Sequence, residues 1–166
     1  MAAGIRKVTE VKPLPEIEAC QRVHRRLLQA VELLTDDEVL APSLLSGWNR
    51  AHVMTHLARN ADSHVFLLEG VQIGERRRQY ASPDARDTDI LAGGTRRAAE
   101  LRADLDRACV ELEQAWASLP GPLWRDEVVV TPGGRPASEL VFRRLREVEV
   151  HLVDLDVGCS PSEWSD

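Results

Sequence analysis

Between Ala98 and Leu119 the apolar residues Ala98, Leu101, Leu105, Ala108, Leu112, Ala115 and Leu119 recur three or four positions apart. A run spaced this way buries one continuous face only as an α-helix, and Arg102, Asp104, Arg107 and Glu111 lie mostly off that face. Pro120-Gly121-Pro122 then stops the helix, because proline has no N–H to continue the ladder. Three further stripes share the period. Ile17, Cys20, Val23, Leu27, Val31 and Leu34 follow Pro13 and Pro15. Val53, Leu57, Ala61, Val65 and Leu68 follow a cap at Asn49 or Ser46 and fray at Gly70 and Gly74. Val141, Leu145, Val148, Leu152 and Leu155 follow Pro136 at an early helical position, with Ser138 near the start. Thr35-Asp36-Asp37-Glu38 reads as a cap or a short helical start, and residues 79–92 read as a long polar connection. Val128-Val129-Val130 before Thr131-Pro132-Gly133-Gly134 predicts a small β arm outside the bundle. The expected fold is therefore all-α, a four-helix bundle with a β arm between its third and fourth helices. A three-helix core with one helix peeled onto a partner is the alternative.

The 166 residues suit one domain spanning 1–166, with a core over about 14–158. Twenty-one basic against 27 acidic side chains leave a net charge of −6, which disfavours general nucleic-acid binding. The stretch MAAGIRKVTEVKPLP has no apolar h-region, and no apolar run reaches transmembrane length, so a cytoplasmic protein without a membrane partner is expected. Homodimerisation is left open. Cys20, Cys109 and Cys159 are odd in number and far apart, and suggest neither a disulfide framework nor a thiolate zinc site.

The polar residues beside the stripes are more informative. On the second long helix His52, His56, Asn60 and His64 recur every four residues. On the last, Glu147, His151 and Asp154 are four and three apart. Each set lies one position before an apolar stripe, so each helix presents a polar edge bordering the core. If the edges meet, imidazoles and a carboxylate surround a cation, which suits zinc and also iron, nickel or manganese. The residue after His56 is Leu57, so the HExxH signature of zinc proteases is absent.

Gly47-Trp48-Asn49-Arg50-Ala51-His52-Val53-Met54-Thr55-His56-Leu57-Ala58-Arg59-Asn60-Ala61-Asp62, with the later Arg146-Glu147-Val148-Glu149-Val150-His151-Leu152-Val153-Asp154-Leu155, resembles the amino-terminal domain of mycothiol-dependent maleylpyruvate isomerase in the DinB-like superfamily. The resemblance implies a bundle whose divalent metal is held at the positions of His56, Glu147 and His151, with zinc first and nickel, iron or manganese as alternatives. His52 is the alternative ligand. Asp154 is either a residue that orients an imidazole or a solvated helix-end acid. Arg59 and Asn60 fall in the family's A-R-N segment, where they contact a thiol or an acid, and Trp48 walls the pocket; the plain alternatives are a solvated arginine, a cap-like polar contact for Asn60 and simple packing for Trp48. The resemblance further implies mycothiol as cosubstrate and a small-molecule substrate. Two features depart from the pattern: Leu152 stands where the family has a second histidine, and the isomerase's carboxy-terminal domain contributes to its substrate site.

The expected activity is a metal-dependent thiol transferase or isomerase acting on a small electrophile. A non-catalytic, metal-assisted binding module is the alternative. Hydrolysis by an activated water needs a general base, and Glu149 points to a different helical face from Glu147.

Overall fold

The computed structural model describes residues 12–130 and 133–165. The amino-terminal stretch and two residues of the expected turn, Thr131 and Pro132, lie outside the described residues. The elements in chain order are α1 (Leu14–Val31), α2 (Asp36–Leu40), α3 (Arg50–Gln72), α4 (Pro83–Gly93), α5 (Ala98–Ser118), a 3-10 turn (Gly121–Arg125), β1 (Glu127–Val130), β2 (Gly133–Pro136), α6 (Glu139–Asp154) and a last 3-10 turn (Pro161–Glu163).

The four long helices close a ring: α1 packs on α5 and α6, and α3 packs on the same two. Every position of the expected stripes on α1, α5 and α6 except Leu34 and Ala115 is buried. Helix α3 is apolar on more than one side, burying Ala51, Met54 and Ala58 besides Val53, Leu57 and Ala61. That pattern marks a helix covered nearly all round. Besides α5 and α6, α3 touches α2, α4 and β1.

Local chemistry fixes the starts. Thr35 and Glu38 form a reciprocal capping box on α2. The Asp36 carboxylate accepts from the Ala98 N–H at 2.8 Å, so α2 also caps α5. Asn49 caps α3, its Oδ1 accepting from the His52 N–H at 2.9 Å. The preceding Gly47 has φ +78°, a conformation that favours glycine and sets up the approach to Trp48.

Three expectations are corrected. The segment read as a connection contains α4, whose N-cap Ser82 accepts from the Ala85 N–H. Its polarity hid it, since Ile90 is the one deeply buried large side chain among its described residues. Pro136 ends β2 and the last helix begins at Glu139, because β1 and β2 pair in register from Glu127↔Pro136 to Val130↔Gly133. The β arm does not stand outside the bundle: Val128 and Val130 point into the core.

Candidate metal centre

Helices α3 and α6 run antiparallel, which brings the two polar edges face to face. His56 lies on the second turn of α3 and is 3% exposed. Glu147 and His151 lie one turn apart on α6 and share a face. His56 Nε2 and Glu147 Oε1 are 2.7 Å apart, and His151 Nε2 is 3.6 Å from the same oxygen. One nitrogen or oxygen from each of the three lies within 4.8 Å of the others. The cluster is closed on the His56 side and reaches solvent past the Glu147 side chain, which is 33% exposed.

Hydrogen bonds orient each donor. His151 Nδ1 donates to Asp154 Oδ2 at 2.8 Å, which leaves the Nε2 lone pair directed at the cluster. His56 Nδ1 accepts from Arg86 Nη2 at 3.2 Å and Nε2 donates to Glu147 at 2.7 Å, so holding a cation through Nε2 requires that its proton move to Nδ1 and that Arg86 release that nitrogen. Burial works against ionising Glu147, but its bonds with His151 and His56 outweigh that and hold its carboxyl well below the usual carboxylate range. Burial likewise holds His56 below the ordinary imidazole value, with Glu147 opposing in part. Near neutral pH the site thus presents an anionic carboxylate and a neutral His56, the net charges a cation requires, with the His56 tautomer left to switch on binding. Two nitrogens and an oxygen, converging and backed by Asp154, fit a divalent first-row metal.

The other residues singled out from sequence divide. Trp48 meets His56 edge-on, with ring centroids 5.7 Å apart, and stacks on His52 at 6.1 Å, so it walls the cluster. His52 Nδ1 accepts from the Asn49 N–H at 3.2 Å, which commits that nitrogen to the start of α3. The hydrogen bonds of Arg59 and Asn60 run elsewhere. Arg59 donates to Asp104 at 2.6 Å, and Asn60 Oδ1 accepts from Arg144 at 2.9 Å.

Arg86 was not foreseen. It is a lone arginine in a polar stretch, and no periodicity on α4 points to it. A cavity of about 680 Å³ runs beside it, lined by Arg76, Arg78, Tyr80, Ser82 and Val129 among others. The Arg86 guanidinium also lies 5.9 Å from the Tyr80 ring centroid. One arginine therefore belongs both to a cationic groove and to the imidazole of the cluster.

This geometry defines a DinB-like helical domain with a three-donor centre between two antiparallel helices. Residues 20–156 match the profile of the mycothiol maleylpyruvate isomerase N-terminal domain, and the chain belongs to that family. Two solved structures superpose with TM-score 0.88 at 29% identity over 92% of this chain: the mycothiol-dependent maleylpyruvate isomerase and a histidine-to-alanine mutant of it. The chain spans 64% of the length of each. No curated protein matches the chain. Among the described residues, no helix is long and apolar enough to cross a membrane.

Proposed function

We propose that the domain holds one divalent cation on His56, Glu147 and His151 and serves a thiol transferase or isomerase reaction. Mycothiol or a related low-molecular-weight thiol is the cosubstrate, and a small electrophile is the substrate. The observation that carries this reading is the convergence of the three donors, with Asp154 fixing the His151 imidazole behind them. Family membership and the likeness to the solved isomerase support the thiol chemistry. A bound cation, zinc first by donor type and nickel, iron or manganese as alternatives, supplies a Lewis acid that favours thiolate over thiol.

The chain's own residues do the rest. Glu147 contributes the one negative charge among the donors and stays ionised well into acid. Asp154 holds His151 in the tautomer whose Nε2 is free. Trp48 covers the His56 face and keeps water from it. Arg86 faces the groove beside Arg78 and Tyr80, where it can hold an anionic group of the electrophile next to the cluster.

Metal-to-protein ratios of the parent and of His151→Ala, measured with helical circular dichroism, test the site. The variant is expected to lose most of its metal with its helix content intact, because alanine favours helix and only the ligand set shrinks. An unchanged ratio sinks the site. Formation of a mycothiol adduct with an electrophile, absent when His56 is replaced, tests the activity; metal binding with no adduct for any electrophile makes the domain a binding module.

A further inference from the structure

Arg144 sits in the middle of α6, and its side chain has no exposed surface. A guanidinium buried this completely is costly unless its donors all find partners. Here they come from each of the other long helices. On α3, Nη1 donates to the Leu57 carbonyl at 2.8 Å and to Asn60 Oδ1 at 2.9 Å. On α1, Nε donates to His24 Nε2 at 3.1 Å. On α5, Nη2 lies 3.7 Å from Cys109 Sγ. His24 in turn donates from Nδ1 to the Glu113 carboxylate at 2.8 Å, so the buried charge is balanced through an imidazole that burial keeps neutral.

The position of this clasp along the helices is what matters. Contacts between α3 and α6 come in a fixed order. Arg50 donates to the Leu155 and Asp156 carbonyls at 2.6 and 2.9 Å. His56 then meets Glu147. Leu57 and Asn60 meet Arg144 next. Arg144 is one turn before Glu147 on α6, and its carbonyl acceptor belongs to the residue adjoining His56 on α3. Both helices are rigid over so short a span, so the length of the Arg144–Leu57 bond fixes how far His56 stands from Glu147.

We propose that Arg144 is a positioning residue for the metal centre, a buried clasp that sets the separation of His56 from Glu147 and thereby the affinity and ligand geometry of the site. This rests on the metal-site reading above. Only arginine can fill the role, since its planar fork reaches three helices at once, whereas the ammonium of lysine is a single point.

Cobalt(II) titrated into the parent, Arg144→Met, Arg144→Lys and Asn60→Ala proteins tests it, with visible absorption reporting ligand geometry and circular dichroism reporting the fold. The parent binds one ion. Both Arg144 variants bind on the order of 10-fold more weakly or worse, with a shifted visible band, as when a group supporting a ligand is lost. Asn60→Ala, which removes one acceptor and leaves the guanidinium in place, gives a smaller loss in the same direction. Its result decides the matter should the Arg144 variants fail to fold. Lowered melting temperature with the parent's cobalt affinity and spectrum overturns the positioning role and leaves Arg144 a matter of stability. A parent that binds no cobalt overturns the metal reading itself, and the positioning role with it.

Discussion

Acidification should weaken this fold well before its carboxylates titrate. His24 and His64 are both buried, and burial lowers them from 6.5 to about 4 and about 3 respectively. In the unfolded chain both take up a proton near 6.5, so between that value and the folded one the unfolded state binds more protons than the native state. Stability is therefore fully present above 6.5 and declines as the pH drops through the window, at about 1.4 kcal/mol per pH unit for each imidazole. Between pH 7.5 and pH 5 each histidine removes about 2 kcal/mol, together about 4 kcal/mol. That is a large share of the roughly 5–15 kcal/mol that holds a domain of this kind together. His56 is lowered too and adds in the same direction. Glu147, held low by its two imidazoles, contributes only in more acid solution. Urea unfolding at the two pH values is the assay. With a slope of about 2 kcal/mol per molar, the midpoint should fall by about 2 M. His64→Leu, which removes a buried Nδ1 that has no partner among the described residues, should lose about half of that dependence. Equal midpoints at pH 7.5 and pH 5 would refute the reasoning, as would an undiminished dependence in the variant.

Asp154→Asn should weaken metal binding by about 10- to 100-fold, because an amide can donate to His151 Nδ1 and so favour the tautomer whose Nε2 carries the proton. Competition with a chromophoric chelator measures it, and parent affinity in the variant counts against the orienting role. Gly93→Ala should destabilise by about 1–3 kcal/mol, since a methyl there runs into the buried Thr55 side chain on α3. Thermal melting checks it, and an unshifted midpoint shows that α4 can move aside at no cost.

Helix α5 was legible because every turn repeats one rule: an apolar residue inward and charges outward. The paired edges of α3 and α6 were legible for a related reason, since His56, Glu147 and His151 keep helical spacing and each adjoins a stripe. What failed to show lacked a period. Among its described residues helix α4 carries one deeply buried large side chain, Ile90, so its sequence looks like a polar loop, and Arg86 travelled with it. Pro136 was misplaced because a proline at a strand end and one at a helix start have the same neighbours. Arg144 did leave a trace: a charge three residues after Val141 and just before Leu145 falls on a core-facing arc, where it needs partners that local sequence cannot name. The commitments of Arg59 to Asp104 and of Asn60 to Arg144 span long stretches of chain, and spacing within one helix is blind to them.

Helix α4 leans on α3 through Ile90 and two glycines, Gly93 and Gly94, whose missing side chains let it approach Thr55 and His52. Nearly all its other described side chains face solvent, although it is the element that carries Arg86 to the cluster. On the proposed function the domain thus divides durability from discrimination. The interlocked stripes of α1, α3, α5 and α6 hold the donors and tolerate little change, while the exposed positions of α4 around Arg86 can be rewritten residue by residue at small cost to the whole. If Arg86 holds the electrophile as proposed, a lineage built on such a plan can exchange one electrophile for another by changing that residue and its neighbours and leaving the donors untouched.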